Sequence, residues 1–162
     1  QTPLVYRLAF GMLGDRVEAE DACQEVFMRV HRSFGGFDPT RTLEPWVSRI
    51  AYNVCLRRLQ SGGRKASGTA DRSDQGDIRD PNMDSPEQQV ATREAHRLLG
   101  AAFRELPAQD RALLTLRYRE GLSDAEVAGA VDMPVNTVKT RIFRARQKLR
   151  EQLGSGLREG SR

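Results

Sequence analysis

"SDAEVAGAVDMPVNTVKTRIFRARQKL", residues 123–149, reads as two helices joined by a tight turn. "SDAE" at 123–126 is a capping box: the serine hydroxyl is placed to accept from the backbone N–H three residues on, and the glutamate to accept from the serine's own N–H. The short helix that follows, to about Val131, gathers Val127, Ala128 and Val131 on one face, and the small Ala128 permits close approach of a second helix. "DMP" makes the turn. Over about 134–153, Val138, Ile142, Ala145 and Leu149 fall within about 60° of one another at 100° per residue, one buried stripe. The opposite face and its edges carry Asn136, Lys139, Thr140, Phe143, Arg144 and Gln147, with Arg141, Arg146, Lys148 and Arg150 toward the sides. Residues 136–150 hold six Lys or Arg and no acid, whereas a solvated helix face usually alternates its signs. This division suits a helix-turn-helix on DNA. Long donors reach guanine edges or phosphates, amides pair with adenine, and an exposed Phe or Thr methyl touches a thymine methyl. Phe143 is the most informative residue, because its position predicts exposure and an exposed phenylalanine needs a cover. The competing reading is a basic amphipathic helix that is solvated or lies on an acidic protein.

The rest of the chain is compatible with such a module. Of 162 residues, 38% are hydrophobic and 30% charged, which suits a mostly helical protein with small cores. The net charge of +4 permits nucleic-acid binding without demanding it, but residues 86–162 carry 14 basic and 10 acidic side chains, so the excess sits at the C-terminal end. No apolar run approaches the roughly 20 residues needed to span a bilayer, so no membrane insertion is expected. Cys23 and Cys55 sit in apolar-periodic stretches and read as reduced core residues of a cytoplasmic protein. His31 and His96 lack ligand spacing, so neither a metal nor a cofactor is expected. There is no Gly-rich phosphate loop, no G-x-S-x-G and no convincing acid/base pair, and catalysis is not expected.

The periodicity predicts an all-α chain of two small helical domains. In residues 1–61, "PLVYRLAFGML" places Leu4, Val5, Leu8, Ala9 and Met12 on one helical face. Asp15 with Glu18 starts a second helix whose buried stripe is Ala19, Ala22, Cys23, Val26, Phe27 and Val30. "GGFDPTR" interrupts it. A third helix, about Leu43 to Gln60, has a wide apolar face of Trp46, Val47, Ile50, Ala51, Val54, Cys55 and Leu59. Residues 62–85 are rich in Gly, Ser and Asp, the composition of a flexible linker. Residues 86–154 restart with Ser85 as N-cap and Pro86 at the first helical position. Pro107 opens a further helix that Gly121 ends. Residues 155–162 read as a frayed tail.

Three blocks carry a family resemblance: "AEDACQEVFMRVHRSF", "FDPTRTLEPWVSRIAYNVCLRRL" and "LPAQDRALLTLRYREGLSDAEVAGAVDMPVNTVKTRIFRARQKLR". Together, in this order and with this linker, they resemble a bacterial extracytoplasmic-function (ECF) sigma factor of the sigma-70 family over nearly the whole chain. The resemblance implies an alternative sigma factor that binds core RNA polymerase and directs promoter-specific initiation. Its first domain, region 2, would bind the polymerase and melt the −10 element, and its second, region 4, would read the −35 element. It places Asp21, Gln24 and Glu25 on the clamp helices of the β′ subunit, and it implies contact with the β subunit too. The positions of Glu18, Asp21 and Glu25 also form an acidic ridge off the apolar stripe, which an ordinary solvated face would show as well.

For capture of the −10 strand the resemblance points to Phe37, Arg41, Thr42, Arg49 and Asn53, with Arg57 and Arg58 on phosphates. Trp46 and Tyr52 match either this surface or the core. For the −35 element it points to Asn136, Thr137, Lys139, Thr140, Arg141, Phe143, Arg144, Arg146 and Lys148. The linker's five Asp would thread polymerase channels or simply be solvated. The first region lacks the stretch that family members usually have before "PLVYRLAF", no further C-terminal domain is expected, and control is expected from an anti-sigma factor. Two alternatives remain: a stand-alone helix-turn-helix regulator, which needs no polymerase-docking block and would normally bind paired half-sites as a dimer, and a helical protein whose basic helix binds an acidic partner.

Overall fold

A computed structural model describes residues 2–62 and 86–159 of the chain, and among these it has seven α-helices and no strand. The first unit contains α1 (Thr2–Leu13), α2 (Arg16–Ser33), a 3-10 turn at Phe34–Gly36, and α3 (Leu43–Ser61). α1 buries Leu4, Val5, Leu8, Ala9 and Met12, the stripe its periodicity predicts. Gly14, at φ +70°, turns the chain where a side chain would be strained. The Asp15 carboxylate then accepts from the Glu18 N–H at 2.9 Å and starts α2. α2 buries Ala19, Ala22 and Val26, while Cys23, Phe27 and Val30 pack against the core only in part.

α3 buries a broader surface than its apolar residues alone would mark: Val47, Ser48, Ala51, Tyr52, Val54 and Cys55. The reason is that α3 packs on two sides, against α1 and α2 and also against α6 of the second unit. Tyr52 is 2% exposed and therefore belongs to the core, whereas Trp46 is half-buried.

The second unit contains α4 (Pro86–Arg104), α5 (Ala108–Leu114), a π-helical segment (Thr115–Arg119), α6 (Asp124–Val131) and α7 (Val135–Glu159). The expected cap at Ser85 and the expected linker beyond Gly62 lie outside the described residues. The helix opened by Pro107 is not uniform. At its C-terminal end Glu120 N–H bonds Thr115 O at 3.0 Å, the wider i→i+5 turn, before Gly121 at φ +73° ends it. α6 ends on Asp132 at φ +56°, a left-handed position that Asp tolerates better than most side chains. α7 runs on to Glu159, past the expected end near 153 and into the expected tail. Gly154 and Gly156 do not stop it, since a glycine costs a helix only about 1 kcal/mol relative to alanine.

The two units are not independent. α1 lies against α5 and α3 against α6, and the buried residues form one continuous core.

Candidate nucleic-acid interface

The corner that leads into α6 is built from local bonds. Ser123 Oγ accepts from Glu126 N–H at 3.2 Å, and Glu126 Oε2 accepts from Ser123 N–H at 2.8 Å, so both halves of the capping box are made. The Ser123 N–H, together with the Ser123 Oγ–H donating to the same oxygen at 2.7 Å, holds the Glu126 carboxylate below its ordinary range. Arg117 braces the same corner, donating to Asp124 Oδ1 at 2.9 Å and to Leu122 O at 3.2 Å. Val127, Ala128 and Val131 of α6 and Val138, Ile142 and Ala145 of α7 are buried between the helices, and Leu149 packs against them in part. Asn136, Thr137, Lys139, Thr140, Phe143, Arg144, Gln147 and Lys148 are all exposed. Phe143 is 60% exposed, although Ile142 beside it is 6%. Arg146 lies at the edge of this face, its Nη1 donating to Tyr118 Oη at 3.1 Å with the guanidinium 5.5 Å from the ring centre. Tyr118, itself 55% exposed, is a member of this surface that sequence reasoning missed. Its signal was an aromatic off the buried stripe of "TLRYRE".

A second surface lies where the 3-10 turn meets α3. Phe37 packs on Trp46 with ring centres 5.0 Å apart and stacks on Phe34 at 6.0 Å, and Phe34 meets Trp46 edge-on at 6.4 Å. Phe34, 56% exposed, also escaped sequence reasoning; two glycines after it, in "FGGF", were the available signal. The following loop is held by Asp38, which accepts from Thr40 N–H at 3.0 Å and Thr40 Oγ1 at 2.7 Å. Thr42 is the N-cap residue of α3 but makes no capping bond with its side chain. Thr42, Trp46, Arg49, Asn53 and Arg57 recur at helical spacing and share one ridge. Arg41, Thr42, Arg49 and Arg57 are exposed, and Asn53 is half-buried. The two surfaces present flat rings, amides and cations, groups that hold unpaired bases and phosphates.

Residues 2–65 match sigma-70 region 2, and residues 96–149 match sigma-70 region 4. The RNA polymerase sigma-H factor of Pseudomonas aeruginosa is 35% identical over 150 residues, 90% of this chain and 78% of that protein. The ECF RNA polymerase sigma factor SigW of Bacillus subtilis is 33% identical over 155 residues, 92% of this chain and 82% of that protein. The chain belongs to the ECF sigma factors. It is an alternative sigma factor, a class of protein that is not an enzyme. Among solved structures, the sigma factor RpoE in complex with the anti-sigma factor NepR from Bartonella quintana shares the fold, with a TM-score of 0.70 over 94% of this chain and 91% of that one at 22% identity.

Within this sigma factor, three expected site residues make ion pairs within the chain. Arg58 lies about 100° around α3 from Arg57, and it reaches α2 rather than the outer ridge. It donates to Glu25 Oε2 at 3.1 Å and to Glu18 Oε2 at 3.2 Å. Glu25 is correspondingly engaged, its Oε1 accepting from Arg29 at 2.7 Å. Burial pushes the Glu25 carboxyl up, but the bonds from Arg29 and Arg58 outweigh it and hold the group below the usual carboxylate range. The acidic ridge is therefore neutralised at Glu18 and Glu25. Asp21 and Gln24 remain exposed, and Gln24 joins Phe27, Met28, His31 and Arg32 around an open depression of about 510 Å³. Arg141, expected at the side of α7, is the third: it is held by Asp110 at 2.6 Å and by Gln109 at 2.9 Å, and so ties α7 to α5. Among the described residues no helix is long and apolar enough to cross a membrane, and no group of three or more His, Cys, Asp or Glu is placed to hold a metal ion.

Proposed function

We propose that this sigma factor reads the −35 element with the outer face of α7 and captures the −10 strand on the ridge between the 3-10 turn and α3. The domain division follows: residues 1–61 act as region 2, 86–154 as region 4, and 62–85 join them. The observation that carries this reading is the sorting of α7, in which Lys139, Thr140, Phe143 and Arg144 are all exposed while Val138, Ile142 and Ala145 are buried. In the major groove Lys139 and Arg144 can donate to guanine O6 and N7, and Phe143 and the Thr140 methyl can meet a thymine methyl. Asn136, Thr137, Lys148 and the Arg146–Tyr118 pair sit where phosphates pass.

Melting needs a different surface. A base leaving the duplex gives up its stack and needs another. The Phe34–Phe37–Trp46 cluster supplies rings beside Thr42, Arg41, Arg49 and Asn53, and Arg57 offers a cation to the displaced backbone. On the other side of region 2, Asp21 and Gln24 with Met28 offer an exposed polar and apolar patch for the β′ clamp helices of core polymerase, with Glu25 shaping it through Arg29 and Arg58. A contact of region 4 with the β subunit completes the assembly. The protein works in the cytoplasm with the polymerase. An anti-sigma factor controls it by covering these faces; the structurally similar RpoE was solved in complex with the anti-sigma factor NepR.

The test is selection of −35 sequences by polymerase carrying the wild-type chain or Arg144→Ala. Loss of a guanine contact is worth about 1–3 kcal/mol and relaxes the preference at one position. Uniform weakening at every position would contradict the assignment of Arg144 to a base.

A further inference from the structure

We propose that Tyr118 is a positioning residue for promoter binding: it holds Arg146 in the pose that meets a backbone phosphate beside the −35 element. The proposal rests on the assignment of the outer face of α7 above and deepens it, by saying how one phosphate contact is set before DNA arrives.

Arg146 lies at a boundary of α7. At 100° per residue it stands about 60° from Phe143 and about 40° from Ile142, between the outer and the buried face. It also lies about two turns beyond Lys139 on the same side, toward the C-terminal end of a helix whose N-terminal residues face the bases. A cation at that place meets the sugar-phosphate backbone, which fixes register without reading sequence. An exposed arginine left to itself explores many rotamers, and ordering it at the moment of binding weakens the complex.

Arg146 is already ordered. Its Nη1 donates to Tyr118 Oη at 3.1 Å, and its guanidinium stands 5.5 Å from the ring centre, within reach of cation–π attraction. The ring is held in turn. The Arg117 guanidinium stands 5.8 Å from the same ring centre and is fixed by Asp124 Oδ1 at 2.9 Å and Leu122 O at 3.2 Å. A chain of contacts therefore runs from the start of α6 through Arg117 and Tyr118 to Arg146.

The chemistry of the partner matters. Arg58 and Arg141 are held by carboxylates, which cancel their charge. Among the described residues Arg146 is held instead by a phenol, which orients the guanidinium and leaves its charge available. The bond to Tyr118 uses one of five N–H donors, so a fork remains for phosphate oxygens. Core packing does not account for Tyr118, since it is 55% exposed whereas Thr115 and Leu116 of the same π-helical segment are buried. Such wide turns are frequent at functional sites.

The test uses holoenzyme made from purified bacterial core polymerase and the full chain. It is titrated, at several salt concentrations, onto the promoter duplex enriched in the −35 selection and onto single-base variants of its −35 element. Arg146→Ala should weaken every duplex alike and lower the salt slope by about 1. Tyr118→Ala should also weaken every duplex alike, about fivefold, because Arg146 must then be ordered on binding. Tyr118→Phe, which keeps the ring and loses the bond, should lose less. In the Arg146→Ala background Tyr118→Ala should add nothing, because the two residues make one contact. Should Tyr118→Ala lower the melting temperature of the free chain, Tyr118→Phe in the two backgrounds completes the same cycle. Unchanged binding by Tyr118→Ala overturns the proposal. So does a loss that persists undiminished without Arg146, or one confined to a single base position. If these results come while Arg144→Ala still relaxes one position, the proposal falls alone. If the wild type selects no −35 element, or Arg144→Ala weakens all positions equally, the assignment of α7 falls and takes the proposal with it.

Discussion

Arg58 of α3 and Arg29 of α2 divide one carboxylate: Glu25 Oε1 faces Arg29 at 2.7 Å and Oε2 faces Arg58 at 3.1 Å. The pair of contacts fastens two helices of region 2 beside the patch proposed to dock on the polymerase. Arg58→Ala removes the cross-helix contact and leaves Glu18 and Glu25 facing each other's field. A loss of about 1–2 kcal/mol is expected for a partly shielded charged hydrogen bond of this kind, read as a lower urea midpoint with unchanged slope.

The same carboxylate gives a pH dependence. Its folded value lies below the ordinary 4.5, so the stability from ionised Glu25 is complete above that value and is lost as pH falls through the lower folded one. The melting temperature of the wild type should therefore drop more steeply between about pH 5 and pH 3 than that of Glu25→Gln. Parallel curves would show that Glu25 does not contribute.

The capping box makes a separable prediction. Ser123→Ala deletes the acceptor for Glu126 N–H, and loss of an N-cap costs about 1 kcal/mol. Because the cap fixes the entry to α6 and not the outer face of α7, specificity for −35 sequences should survive while thermal stability falls. Ser123→Asp should recover the stability.

Replacing Phe37 by alanine separates melting from duplex recognition. Phe37 stands 5.0 Å from Trp46, in the first unit, whereas α7 belongs to the second. Stacking of a base on an aromatic ring is worth about 1–3 kcal/mol. The variant holoenzyme should bind duplex promoter nearly as well as wild type and open it more slowly, as read by permanganate reactivity of the −10 region. Normal opening would remove Phe37 from strand capture.

The cysteines should be poor nucleophiles. Burial, and then the neighbouring Cys23, push the Cys55 thiol up to about 12, and burial and Glu20 raise that of Cys23. The thiolate is the reactive form. At pH 8 a thiol reagent should reach Cys55 only on unfolding and react with Cys23 more slowly than with glutathione.

Much of this was legible in the sequence where one physical rule acts alone. The 3.6-residue period separates Val138, Ile142 and Ala145 from Phe143, and an Asp or Ser three residues before a Glu marks where α2 and α6 begin. What escaped depends on partners distant in the chain. Nothing local tells Arg58 to choose Glu25, or Arg141 to choose Asp110, over a phosphate. The burial of Tyr52 and Ser48 goes with α3 packing on two sides, against the first unit and against the second, which no period in α3 encodes. The π-helical turn at Thr115–Arg119 likewise has no compositional mark, though it sets the position of both Tyr118 and Glu120.

The central claim is that this chain gives core RNA polymerase its promoter choice. Its most direct test is transcription by purified bacterial core polymerase plus this chain, on templates randomised across the upstream promoter region, with the transcripts sequenced. The account predicts start sites at one fixed distance from two enriched elements, lost when Asp21→Arg and Gln24→Ala are combined. Selection of duplex DNA by the chain without any specific starts would contradict it and point to a regulator that acts without the polymerase.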